Sequence, residues 1–323
     1  MEHLRQDDPD QIGPYVTLAR LDSEAAAHTV PERRYIARST DGERTVVACL
    51  PLVGADPGRW AVEAEGARRL SLPGFLPVAE VGGTAGFPWY VTPYVPLLPL
   101  PAALAAHGGP LPEPCVRSLG AALAATLAAA HAQGVTHAGL APAAVLLGTE
   151  GPYLGCYGTA RSAGPDGEER RGLPGLDPGC LPPEQAQGGR PRPLGDAYAL
   201  GAVLAYASTG HTVPERDELP PSLRSLIGAC LSRDPAHRPQ LDRLADEFRA
   251  MGSQLHDGTT QLSPSSQARP DAGHRPTVLD SAARPVPYPP LPARIVTALV
   301  RQSAELLAAP LPSHLVSRLV EAH

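Results

Sequence analysis

The sequence predicts an α+β fold in two lobes, a small β-rich one followed by a larger helical one, with a Pro-rich linker and a helical segment behind them. Three observations carry this. Short β-type runs crowd the first 95 residues, helix-forming stretches take over after Pro96, and a polar, aperiodic, Pro-rich stretch over 253–292 precedes a renewed helical pattern. With 323 residues and 43% hydrophobic content the chain can bury a sizeable core, which excludes a disulfide-stapled miniprotein.

Residues 1–12 are polar and acidic and read as a flexible leader. The first lobe spans 13–95. Its runs YVTLARL, RYIAR and RTVVACL are rich in β-branched and aromatic residues and are separated by turn formers. Residues 57–71 have a helical pattern with one charged face, and two further strand-like runs follow near 74–81 and 88–95. The second lobe spans 96–252. It opens on strong helix formers over 111–134, with Glu113 near the start and Gly134 at the end. A loop-rich stretch over 135–190 leads to further helices over 195–209 and 220–251. The composition of 253–292 reads as disordered linker. In 293–323, Ile295, Leu299, Gln302 and Leu306 share one helical face, and Leu315, Leu319 and Ala322 another. Pro310 and Pro312 break the segment, which predicts a short helical hairpin that docks on the body or engages a partner.

A net charge of -6 gives no electrostatic footprint for nucleic acid. The N-terminus lacks the features of a secretory signal, and no apolar run reaches the roughly 18 residues of a membrane span. Cys49, Cys115, Cys156, Cys180 and Cys230 are scattered without a C-x-x-C pair, so reduced thiols, a cytoplasmic location and no metal site are expected. The chain contains no lysine and no asparagine, and all 27 basic residues are arginine. Chemistry that needs an ammonium group or an Asn carboxamide cannot occur on it.

The order of motifs resembles a eukaryotic-type Ser/Thr protein kinase of the kind found in actinobacteria, over roughly residues 13–252. LSRDPAHRP (231–239) is similar to the family's late Asp-Pro-x-x-Arg-Pro segment, PPEQ (182–185) to its Ala-Pro-Glu motif, and DAYALG (196–201) to the start of its central helix. The resemblance implies a buried ion pair between Glu184 and Arg238, and an Asp196 that holds the catalytic-loop backbone.

At the positions that carry chemistry in this family the sequence departs. Phosphoryl transfer needs positioned charge more than covalent work by the protein. The stretch 21–38 has Ala25, Ala26 and Ala27 beside Asp22 and Glu24 where the family has phosphate-binding glycines. Cys49, or Leu50 in a register one residue on, takes the Lys position. Glu63 matches that Lys's partner, leaving it a solvated charge or a mate for an arginine such as Arg38 or Arg44. THAGLAPAAVLL keeps His137, in a packing role, but has Ala138 for Arg, Gly139 for the catalytic Asp and Ala144 for the metal-binding Asn. CYG puts Cys156 at the magnesium-binding Asp, and a thiol is a poor ligand for a hard cation. A disulfide between Cys49 and Cys156 is not expected across so wide a cleft. The segment 159–183 has no Ser, Thr or Tyr after Ser162, so loop phosphorylation is not expected.

Each lost charge-stabilising group costs about 3–4 kcal/mol in such sites, though not additively. The resemblance with these losses implies a pseudokinase, a regulatory or scaffolding protein that is not an enzyme and binds ATP and magnesium weakly or not at all. The hinge Thr92-Pro93-Tyr94-Val95 still offers backbone groups near Pro93 and Val95 for an adenine. Expected partners are proteins, including an active Ser/Thr kinase or a forkhead-associated domain that reads phosphorylated Thr277 in TVLD (277–280). The alternative is a divergent Ser/Thr protein kinase using non-standard residues, with Asp22, Glu24, Asp166, Glu168 and Glu169 as candidate carboxylates.

Overall fold

The computed structural model describes residues 2–23, 30–253 and 291–309. Glu24, Ala25, Ala26, Ala27, Thr277 and the second half of the expected hairpin lie outside the described residues. The first lobe is a six-stranded antiparallel sheet of β1 (Gln11–Ile12), β2 (Tyr15–Arg20), β3 (Glu32–Ser39), β4 (Thr45–Pro51), β5 (Glu80–Thr84) and β6 (Phe87–Pro93), in the order β1-β2-β3-β4-β6-β5. Helix α1 (Pro57–Arg68) crosses between β4 and β5. Pro57 pre-sets its first turn, and the Asp56 carboxylate caps it by accepting from the Arg59 N–H.

Alternation sorts the sheet's side chains. Tyr15, Tyr35, Ala37, Val46, Ala48, Trp89 and Val91 form an outer cluster. The Trp89 indole lies against Gly13 and Gly82, where a Cβ would come within 2.4 Å of the ring. On the other face, Cys49 opposes Arg34 on one side and Tyr90 on the other, and packs with Trp60 and Ala64 of α1. That register turns Cys49 toward the second lobe and leaves Leu50 against the outer cluster.

Residues 2–12 do not hang free as a leader. Asp8 accepts from Arg20 at 2.5 and 2.6 Å, from the Tyr35 hydroxyl at 2.8 Å and from the Arg5 N–H. Burial alone would raise its pKa, but these bonds outweigh burial and hold it at about 2.

The second lobe consists of α2 (Leu100–His107), α3 (Glu113–Ala132), the short α4 (Thr159–Ala163) and α5 (Pro183–Ala186), α6 (Pro193–Thr209), α7 (Pro221–Cys230) and α8 (Leu241–Ser253). A small sheet of β7 (Leu98–Pro99), β8 (Val145–Gly148) and β9 (Gly151–Leu154) lies beside them. Val116, Leu119, Leu123 and Leu127 recur at helical spacing on α3 and are fully buried against α6 and α8. Helix α3 is nevertheless long and apolar enough, by length and composition, to cross a membrane, which the sequence reading did not anticipate. Its apolar stripe is spent on the core.

Helix α9 (Ala293–Ala308) docks on the body along the face that the spacing predicts, burying Ile295, Leu299, Gln302 and Leu306. Ile295 and Leu299 enter the main core, and Leu306 joins Leu21 and Ile36 of the first lobe. Arg38 caps the end of α9, donating to the carbonyls of Leu306 at 2.7 Å and Ala309 at 3.0 Å. At the other end Arg294 donates to the His107 carbonyl of α2. The helix therefore straps the two lobes together. Leu299→Ala should lower unfolding free energy by about 2–5 kcal/mol in a urea titration; an unchanged midpoint would mean that α9 does not dock.

Candidate functional site

Between the lobes lies a cavity lined by Arg34, Cys49, Glu63, Tyr90, Cys156 and Tyr157 among others, with Pro93, Tyr94 and Val95 of the hinge at its edge. Its charge comes from β3. The Arg34 guanidinium, almost fully buried, pairs with both oxygens of Asp22 at 2.5 and 2.7 Å and crosses to the second lobe, donating to the Ala143 carbonyl at 2.9 Å. Its Nη1 is 3.7 Å from the Cys156 sulfur. Two residues earlier on the same face, Glu32 accepts from the Tyr90 hydroxyl at 2.6 Å and lies 3.5 Å from the Cys156 sulfur.

Burial raises the Glu32 carboxyl above its ordinary value of 4.5, and pushes the Cys49 and Cys156 thiols well up. Both cysteines are free thiols in a site that disfavours thiolate.

The loop below keeps its backbone path. Asp196, at the start of α6, accepts from the N–H groups of His137 at 2.8 Å and Ala138 at 2.9 Å, and meets His131 Nε2 at 2.8 Å. These bonds hold Ala138 at φ 55°, a left-handed conformation that costs a non-glycine residue about 1–2 kcal/mol; Cys156 is held at φ 56°. His137 is fully buried between Phe75 and Tyr157, with Nε2 3.0 Å from the Gly155 carbonyl. Burial lowers its pKa, so it packs as a neutral ring. At Gly139 a Cβ would come within 2.5 Å of the Thr159 side chain, so α4 fills the space where a side chain would stand. Ala144 is fully buried in the turn that leads into β8.

Glu63 pairs with an arginine, as the alternative reading expects, but the arginine is Arg161 and not Arg38 or Arg44. Arg161 of α4 grips it through Nε and Nη2 at 2.8–2.9 Å, and the same guanidinium lies 4.7 Å from the centre of the Tyr157 ring. This pair ties α1 to the segment after Cys156. Farther along, the fully buried Arg170 donates to the carbonyls of Gly164 and Gly189 at 2.9 Å and to Asp166 at 2.7 Å, ordering the segment from within. Arg238 donates to both oxygens of Glu184 at 2.7 and 2.8 Å.

Of the candidate carboxylates among the described residues, Asp22 is the one that pairs with a cavity-lining residue, Arg34. Asp166 and Glu169 pair with Arg170 and Arg171, and with Glu168 they are exposed on the surface. The sequence reading missed Glu32, Arg34, Arg161 and Arg170. Alternation was the available signal for the first two, because it places Glu32 and Arg34 on the face that carries Cys49. The residues do not fit a Mg²⁺ ion: a protonated thiol and a methyl group stand at the ligand positions, and among the described residues no group of three His, Cys, Asp or Glu could hold a metal.

No protein-family model matches the chain. Curated relatives do. The chain is 33% identical over 260 residues to the probable serine/threonine-protein kinase PkwA of Thermomonospora curvata, covering 74% of this chain and 34% of that one. It is 31% identical over 282 residues to the serine/threonine-protein kinase AfsK of Streptomyces griseus, covering 78% and 34%. The chain thus spans about a third of the length of the curated relatives it matches. Among solved structures, the Mycobacterium tuberculosis PknI kinase domain superposes with a TM-score of 0.56 at 21% identity, over 74% of this chain and 96% of that one. The fold is the two-lobed protein-kinase fold.

These relatives correct the expectation that the chain is not an enzyme. They are serine/threonine-protein kinases, and they point to an enzyme. Charged or metal-binding groups of the family are replaced at five positions, Cys49, Ala138, Gly139, Ala144 and Cys156, and losses in such sites are not additive.

Glu32 gives the cleft a pH signature. With its pKa raised in the folded state, the folded protein binds this proton more tightly than the unfolded chain. The resulting stability is fully present below 4.5 and is lost as pH rises through the raised value. Urea unfolding across this range should show Glu32→Gln gaining on the wild type as pH rises; a pH-independent difference would contradict the placement of Glu32.

Proposed function

We propose that the chain is a divergent Ser/Thr protein kinase that transfers the γ-phosphoryl group of ATP using a non-standard set of charges. The observation that carries the reading is the Arg34 guanidinium in the interlobe cavity of a chain without lysine. Phosphoryl transfer is served mainly by positioned positive charge against the phosphate oxygens, and a planar guanidinium binds them in bidentate fashion. Arg34 is held today by Asp22 and the Ala143 carbonyl, so phosphate has to displace Asp22. The hinge backbone beside Tyr94 and Val95 takes the base. The kinase names of the relatives and the retained two-lobed body support the same reading. The partner it implies is a protein that presents a Ser or Thr hydroxyl.

The test is transfer of label from γ-³²P-ATP to dephosphorylated casein and to the chain itself. The intact chain should label well above buffer, and Arg34→Met should lose about 10²–10³-fold, the usual effect of removing one preorganised charge-stabilising group. Labelling no faster than buffer would overturn the reading.

A further inference from the structure

The loop that carries Gly139 also walls a second, smaller cavity. Ala138, Gly139, Leu140 and Ala141 form one side, Asp196 lies at the start of α6, and Asp177 of the segment before α5 closes it. The space is about 20 Å³, room for about one water-sized group. It has room for a hydroxyl.

Two carboxylates line it, and they differ in what they already do. Both oxygens of Asp196 are occupied by the His137 and Ala138 N–H groups and by His131. Asp177 is held through one oxygen. Its Oδ1 accepts from the Gly179 N–H at 2.8 Å, the Cys180 N–H at 3.3 Å and the Thr212 hydroxyl at 3.2 Å, and Oδ2 takes none of these three bonds. The neighbouring Cys180 thiol is pushed well up by burial, by the Asp177 charge and by its hydrogen bond to that carboxylate, so it stays protonated and does not compete as a base. The result is a carboxylate oriented by three bonds to Oδ1, with Oδ2 outside those three, beside the loop residue that has no side chain.

On the reading of the chain as a divergent kinase, we propose that Asp177 is a catalytic residue, the base that takes the proton of the substrate hydroxyl. The substrate's Ser or Thr O–H gives its proton to Asp177 Oδ2. The freed oxygen forms its bond to the γ-phosphorus of a nucleoside triphosphate. The bond from that phosphorus to the bridging oxygen breaks, and its electron pair leaves with the nucleoside diphosphate. The carboxylate comes from the segment 159–183 in place of the loop that carries Gly139, and Arg170 orders that segment.

Steady-state transfer from γ-³²P-ATP to dephosphorylated casein tests this in the intact chain. Asp177→Asn keeps an oxygen to cap Gly179 and Cys180 and should lower kcat by about 10²–10⁴-fold with KM for casein little changed, the span a positioned general base supplies. Asp177→Ser keeps a shorter cap without a carboxylate and should fall as far. Asp177→Glu, which keeps the carboxylate, should recover part of the loss. Turnover by a folded Asn or Ser variant within about twofold of the wild type would overturn the assignment while leaving the kinase reading intact. An intact chain that labels nothing would overturn both, so the wild-type arm reports on the reading and the variant arms on Asp177.

Discussion

The Arg34 guanidinium joins the halves of this molecule. It starts on β3 of the upper sheet, pairs with Asp22 and ends on the Ala143 carbonyl of the lower lobe. A buried charge is tolerable only when it is paired and its remaining donors are satisfied. Asp22 supplies the pairing, and the Ala143 carbonyl and the Cys156 sulfur accept from Nη1, so the cleft closes on its own cation. Glu32, Tyr90, Cys49 and Cys156 are the low-dielectric surroundings that such a closed cleft creates, and burial raises the pKa of all four.

The frame around this interaction is costly to keep. Two non-glycine residues, Ala138 and Cys156, hold left-handed backbone at the site. The hydrogen bonds of Asp196 and the packing of His137 sustain the first of them. The Glu63–Arg161 pair, the buried Arg170 and the Glu184–Arg238 pair hold the segments around it. Helix α9 adds a strap from α2 to Arg38. A backbone kept under strain while its side chains change is one on which a new set of charges can be mounted.

Much of the fold was legible because it rests on periodicity. The alternation in RYIAR and RTVVACL and the 3–4 spacing of Val116, Leu119, Leu123 and Leu127 are local signals, and so is the buried face of α9. The site was legible at positions fixed by a motif, such as Asp196, and illegible where partners meet over long separations. Glu63 finds Arg161, 98 residues away, and no spacing rule predicts that. Residues 2–12 looked free because the bonds of Asp8 to Arg20 and Tyr35 exist only once the sheet has formed. Asp177 was overlooked because LDPG reads as a turn, and the bonds that orient its carboxylate exist only in the folded segment.

The central claim is that Arg34 is the cation that meets a nucleotide's phosphates once Asp22 lets it go. Calorimetric titration of ATP into the intact chain, Arg34→Met and Asp22→Asn tests it most directly. The account predicts weaker binding by Arg34→Met and tighter binding by Asp22→Asn, which leaves the guanidinium free. Equal affinities in all three proteins would contradict it.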